Sequence, residues 1–272
     1  MRLLFLGDMV GRQGRNAVFE RLPAIKDRLQ PDLVIVNGEN AAAGFGITRK
    51  IFDAALDAGV DVVTTGNHVF DQREVLTWAS DEDRFLRPAN WLAGAPGRGS
   101  TIVETADGHR VLVANIMGRL FMHPELDDPF KAIEDILAAA PMGDAVDAVV
   151  VDFHAEATSE KQCFGHFVDG RVSLVVGTHT HIPTADHHVL VGGTGYMSDA
   201  GMCGDYDSSI GMDKEEPLNR FLTKIPKGRM EPASGEATVC GAFLVTDDAT
   251  GLATAIEPLR VGGRLAEIWP TI

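Results

Sequence analysis

Five short clusters hold side chains able to bind cations: Gly7-Asp8, Asn37-Gly38-Glu39-Asn40, Thr65-Gly66-Asn67-His68, Asp152-Phe153-His154-Ala155-Glu156 and Gly177-Thr178-His179-Thr180-His181. Carboxylate, carboxamide oxygen and imidazole together make a mixed oxygen and nitrogen donor set, which suits iron, manganese, zinc or cobalt rather than calcium. Thiolates add nothing to it, because Cys163, Cys203 and Cys240 are widely spaced and lack any CxxC pairing. A carboxylate such as Glu39 can bridge two cations. Paired ions about 3.5–4 Å apart clamp the attacking and leaving oxygens of an in-line displacement at phosphorus. The donor types point to metal-dependent hydrolysis of a phosphate ester.

These clusters follow short apolar runs that read as buried strands: residues 3–6, 33–36, 60–64, 148–153 and 172–176, with 111–115 as a further strand. Residues 15–29 and 48–58 carry apolar positions at spacings of three and four, the pattern of amphipathic helices. Pro23 is expected to break the first of these, and Pro31 and Gly59 to stop them. Strand and helix in alternation predict an α/β chain with parallel neighbours covered by helices. In such sheets the loops beyond the carboxyl ends converge, so the five clusters can meet in space. His179 and His181 alternate at one strand end, where they can face the same side. After His181 the pattern changes to short strands at 189–191, 238–245 and 254–259, which suggests a second sheet, antiparallel in part. Residues 198–236 form an irregular insertion with a weak helical pattern at 217–222, and its reading as lid, subunit contact or plain surface loop stays open.

Each feature also has a plainer role when taken alone. His154 could be a buried, hydrogen-bonded strand residue. Asp8 could cap a helix beginning near Arg15, although Gly11 and Gly14 intervene. Those glycines belong to no GxGxxG and precede no Walker lysine, which argues against a phosphate-cradling loop. Asn37 and Gly38 suit a tight bend that positions Glu39. His109, His123, His166, His187 and His188 stand outside the clusters and are assigned to surface or supporting roles. Recurrence of donor residues at strand ends favours the metal reading over five separate coincidences.

The chain has 272 residues and a formal net charge of -15, with a pI near 4.9. Such acidity argues against long nucleic acids as partners but leaves room for small phosphorylated ligands, because bound cations dominate the field in their own pocket. A hydrophobic fraction of 45% supports a sizeable core, and one domain over residues 1–272 is expected. The apolar run before Gly7 is too short for a signal segment and no stretch approaches a membrane span, so with its unpaired cysteines the chain is expected in a reducing cytoplasm.

The order GD, NGEN, GNH, a lone histidine and GTHTH, with GMCG and IGM further on, resembles the calcineurin-like metallophosphoesterases. It is most similar to their bacterial YmdB-like cyclic-nucleotide phosphodiesterase branch, over the whole chain. That resemblance implies a two-sheet β-sandwich flanked by helices in four α/β/β/α layers. It implies a first metal held by Asp8, Glu39, Asn40 and His181 and a second held by Glu39, Asn67, His154 and His179, with Glu39 as the bridge. His68 would be the general acid, and a metal-bridging hydroxide the nucleophile. Where the wider superfamily has DxH, this chain has Asp8-Met9-Val10, and Asn40 is the substitute ligand. Iron is the first metal expected, with manganese or zinc open. Small 2′,3′- or 3′,5′-cyclic nucleotides are the expected substrates, and a homo-oligomer the expected assembly. A phosphomonoesterase or 5′-nucleotidase on the same site is the alternative, as is a cyclic-nucleotide sensor without turnover.

Overall fold

The computed structural model describes residues 1–272. In chain order the elements are β1 (Arg2–Leu6), β2 (Asp8–Met9), α1 (Gly11–Leu29), β3 (Leu33–Asn37), α2 (Arg49–Asp57), β4 (Val62–Thr64), α3 (Val75–Trp78), β5 (Ser100–Glu104), β6 (Arg110–Met117), α4 (Pro129–Ala139), β7 (Ala148–His154), α5 (Thr158–Val168), β8 (Leu174–Thr178), β9 (His188–Val189), β10 (Gly195–Met197), β11 (Met202–Asp205), α6 (Glu215–Thr223), β12 (Ala237–Thr246) and β13 (Ala253–Val261). The insertion 198–236 thus contains β11 and α6, the helix taking in the weak pattern at 217–222. No helix is long and apolar enough to cross a membrane.

The strands form a seven-stranded and a six-stranded sheet. In the first, β1, β3 and β4 run parallel, and β12 joins the other edge of β1 in antiparallel register, Leu4 opposite Phe243. In the second, β6, β7 and β8 run parallel, with His154 opposite Thr178. This corrects the expected grouping of strands. The six early runs divide three and three between the sheets, while β2, β11, β12 and β13 complete the first sheet and β5, β9 and β10 the second. β12 is buried along nearly its whole length, and a strand covered on both faces belongs in a sheet's interior rather than in a separate antiparallel layer.

Successive side chains on a strand point to opposite faces, and that alternation builds the layers. Leu3 and Phe5 of β1, Ile35 of β3, Val113 of β6, Val150 of β7 and Val176 of β8 meet between the sheets. Leu4 and Leu6 turn outward onto Val18, Leu22 and Ile25 of α1 and Phe52 of α2. Val149, Val151 and Phe153 of β7 face the other way onto Ile133 of α4 and Phe164 of α5. The result is a four-layer α/β/β/α sandwich. Phe153 and Phe164 stack with centroids 4.0 Å apart, an aromatic pairing worth about 0.5–1.5 kcal/mol beyond its area.

Helix ends follow local chemistry. Thr48 accepts from the Ile51 amide to cap α2, and Asp128 accepts from Phe130 and Lys131 to cap α4, with Pro129 in the first turn. α1 stops at Leu29 before Pro31, and α2 stops before Gly59 at φ +100. The expected break at Pro23 does not occur. Pro23 lies on the exposed face of α1, and the helix runs through it from Gly11 to Leu29. α1 starts at Gly11 with Val10 before it and no side-chain cap, so Asp8 is not a helix cap.

Candidate metal centre

All five clusters lie at the carboxyl ends of parallel strands. Asp8 follows β1, Glu39 and Asn40 follow β3, Asn67 and His68 follow β4, His154 ends β7, and His179 and His181 follow β8. Because the two sheets face each other, these ends form one rim.

The tightest part surrounds His154, which is closed to solvent. Its Nε2 lies 3.0 Å from Oδ1 of Asn67, 3.1 Å from Oε1 of Glu39 and 3.1 Å from Nδ1 of His179. One ring nitrogen carries at most one proton and cannot satisfy three neighbours. Donors about 3 Å apart do, however, match atoms sharing one cation at about 2.0–2.2 Å each.

Beside this group lie Asp8, Asn40 and His181. Oδ1 of Asp8 and Oδ1 of Asn40 are buried without a hydrogen-bond donor, and Nε2 of His181 stands 3.8 Å from Asp8 Oδ1. A buried polar atom left unpaired costs about 1–3 kcal/mol, so two of them around one cluster fit acceptors arranged for a cation. Asn40 gives its Nδ2 to the Gly44 carbonyl, which fixes the amide with its oxygen free. Glu39 lies between the halves, its Oε1 toward His154 and its Oε2 accepting the His68 amide at 3.0 Å.

The imidazoles are oriented through their remaining nitrogens. His154 Nδ1 is 2.8 Å from Thr178 Oγ1, whose own proton goes to Asp152, so the threonine accepts from His154. His179 Nε2 faces Glu156 at 3.3 Å, and His181 Nδ1 donates to the Ile210 carbonyl at 2.7 Å. Each arrangement directs the other nitrogen at the cluster, as metal-binding histidines require. The donor types, the spacing, the unpaired oxygens and the fixed tautomers all fit a bound cation.

Asp152, Thr178 and Asn37 are supporting residues that sequence reasoning misses or assigns only to a bend. Asp152 accepts from Thr178, Thr64 and Asn37 Nδ2, while Asn37 Oδ1 accepts the Glu39 amide. Burial pushes the Asp152 carboxyl up to about 6, against the pull of His154 and the two threonine hydroxyls. Asp152 does carry a sequence signal: it lies two residues before His154 and so shares its face of β7. Ile210 carries none, since a backbone carbonyl is recruited only by folding, and Glu156 is flagged only by lying in the same cluster as His154.

Charges in the cluster are strongly coupled. Burial opposes ionisation of Glu39, but the neighbouring His154 outweighs it and holds the carboxyl at about 2. Burial likewise opposes the His154 cation, and Glu39 outweighs it, raising the imidazole to about 9. His179 is driven down to about 3 by burial and then by His154. Burial raises the Asp8 carboxyl despite His181 and His154. Without a cation, one proton is therefore pinned between Glu39 and His154.

His179 and His181 do not alternate along the strand end as their spacing suggests. They lie just past β8, at φ 95 and φ 68. Left-handed backbone at a non-glycine residue costs about 1–3 kcal/mol and persists only where surroundings enforce it. His68 stands apart from the buried group, its Nδ1 2.7 Å from Asp71 and its ring edge-on to Phe45 at 5.1 Å. It lines a cavity of about 430 Å³ together with Glu39, His181, Phe45, and Phe221 and Lys224 from the α6 region.

The chain matches the model of the YmdB-like protein family over residues 4–259. It is 44% identical over 261 residues to the 2′,3′-cyclic-nucleotide 2′-phosphodiesterase of Bacillus subtilis, covering 96% of this chain and 97% of that protein. A hypothetical protein from Thermus thermophilus has a similar structure, with TM-score 0.89 and 43% identity over 97% of this chain and 100% of that one. A novel phosphatase from Mycoplasma pneumoniae follows at TM-score 0.88 and 32% identity, covering 96% and 93% of the two chains. With the match running from the first strand to the last and the fold shared at this level of identity, the chain belongs to the YmdB-like family.

Proposed function

We propose that this chain is a metal-dependent phosphodiesterase acting on small cyclic nucleotides, with 2′,3′-cyclic nucleotides first and 3′,5′-cyclic nucleotides second. The observation that carries the reading is the convergence of Glu39, Asn67 and His179 on His154 beside the unpaired oxygens of Asp8 and Asn40. The Bacillus subtilis relative is named for this ester, which supports the order of substrates.

Two cations fit the reading. Asp8, Asn40 and His181 would hold one, Asn67, His154 and His179 the other, and Glu39 would reach both. Iron is proposed first for this mixed donor set, with manganese or zinc as substitutes. When bound, the ions would make hydroxide available from water at neutral pH and would neutralise charge on the phosphate.

The chain's own groups do the rest. His68, oriented through Nδ1 by Asp71 and lining the cavity, protonates the departing ester oxygen. Phe45 and Phe221 offer aromatic surface to the nucleoside, and Lys224 adds a cation to an otherwise acidic chain. In this reading residues 1–272 work as one domain, with 198–236 furnishing part of the cavity wall.

The test pairs elemental analysis of protein purified without added metal with assays on 2′,3′- and 3′,5′-cyclic nucleotides, for the wild type and Glu39→Ala. Near two equivalents of transition metal, sharply reduced in the variant, with cyclic ester cleaved by the wild type, is the expected result. The Mycoplasma relative's description as a phosphatase favours a monoesterase as second reading. Turnover of nitrophenyl phosphate but not its bis ester would select it, and tight binding without turnover would select a sensor.

A further inference from the structure

A buried ion pair outside the donor cluster is hydrogen-bonded to the His179-Thr180-His181 turn. Lys161 of α5 and Asp199, just after β10, are both almost fully removed from water. Lys161 Nζ donates to Asp199 Oδ2 at 2.8 Å and to the Thr178 carbonyl at 2.9 Å. The same Oδ2 accepts from the Thr180 amide at 3.1 Å and from the Thr180 hydroxyl at 2.8 Å. Oδ1 accepts from the Gly201 amide at 2.9 Å, and the backbone of Asp199 exchanges hydrogen bonds with Thr184.

These bonds bracket His179. The peptide carbonyl before it is held by the ammonium, and the peptide amide after it by the carboxylate. Between those two fixed points His179 takes φ 95, and His181 follows at φ 68. Gly177 lets the Ser198 backbone, next to Asp199, approach β8, since a side chain there would run into the Ser198 carbonyl and, less severely, the Lys161 stem. Burying two full charges costs desolvation, and an apolar pair of similar volume often serves stability as well or better. A hydrophobic pair could not, however, grip a carbonyl on one side of His179 and an amide on the other.

We propose that Lys161 and Asp199 are positioning residues that force the left-handed turn and so aim both imidazoles at the metal centre. The proposal rests on the metal reading only for its consequence, because the backbone effect stands by itself. Asp199 lies in the 198–236 insertion, so the pair also ties that segment to the ligand turn.

Single variants leave a buried charge unpaired and can fail to fold, so the informative protein is the charge-balanced double variant Lys161→Met/Asp199→Asn. Three quantities are read against wild type: thermal midpoint of the metal-stripped protein, Mn²⁺ affinity by titration calorimetry, and the amide–Hα couplings with Cα shifts of His179 and His181 by NMR. The expected result is a midpoint near wild type, a roughly 10–100-fold weaker Mn²⁺ affinity, the range typical of residues that orient ligands, and loss of the positive-φ signature at His179. Restored midpoint with unchanged backbone signals overturns the proposal whether or not metal binds, since the pair would then serve stability alone. Wild type that binds no Mn²⁺ but loses the turn in the double variant upholds the clamp and sinks the metal reading instead.

Discussion

Nε2 of His154 and Oε1 of Glu39 lie 3.1 Å apart with neither side chain open to solvent. In the metal-free protein this is an ion pair, the imidazole raised to about 9 and the carboxyl lowered to about 2. The stabilisation from His154 is fully present below its unfolded value of about 6.5 and is lost as pH rises through about 9. The part from Glu39 is present above its unfolded value and lost as pH falls toward about 2. In the proposed centre a cation takes the His154 lone pair and must expel its proton. At about pH 7.5 metal uptake is therefore expected to release about one proton, and the apparent affinity to climb with pH until about 9. Calorimetry in buffers of differing ionisation enthalpy reads this directly, and a pH-independent isotherm would contradict the pairing.

Gly66 precedes Asn67, a ligand in the proposed centre, and a side chain there would press into both His154 and Glu39 Oε2. Gly66→Ala is expected to disturb the cluster before the rest of the fold, because the clash falls on two buried side chains of that cluster, His154 and Glu39. Its metal content should drop severely. Circular dichroism beside elemental analysis separates the two effects; full occupancy in the variant would show that the cluster relaxes freely.

His68 is placed in the cavity but outside the buried donors. His68→Ala should leave the metal content unchanged while lowering kcat by about 10²–10⁴, the range for loss of a proton-transferring group. Substrates with good leaving groups, such as nitrophenyl esters, should lose much less. An equal loss on all esters would assign His68 to binding instead.

Phe221 is largely exposed although it borders the cavity, as are Leu218 and Leu222 on the same helix. If it covers the nucleoside, Phe221→Ala should raise KM for cyclic nucleotides roughly tenfold, consistent with about 1–3 kcal/mol for a stacked base. KM for a small nitrophenyl ester should hardly change. The ratio of the two values is the measurement, and a parallel rise in both would remove α6 from nucleotide recognition.

The donor residues and their order are legible in the sequence because each cluster is local: a short polar stretch immediately after an apolar run, as at Asn37-Gly38-Glu39-Asn40. Alternation of strand with helix likewise announces the α/β class. Periodicity says which face a residue occupies but not which strand lies next to it, so residues 33–36 and 148–153 read alike although they belong to different sheets. Pro23 misleads for a related reason: whether a proline breaks a helix depends on how that helix packs, and Pro23 lies on the exposed face of α1.

What only the tertiary structure decided is how the donors are held. Thr178 sets the His154 tautomer, the Ile210 carbonyl sets that of His181, and Lys161 with Asp199 grips the turn between them. These partners are separated by at least 17 residues in the chain. Residue type and spacing announce a ligand because coordination chemistry selects it; a hydrogen bond that orients the ligand can come from any acceptor that folding delivers, and that delivery is written in the packing of two sheets rather than in any local run of the chain.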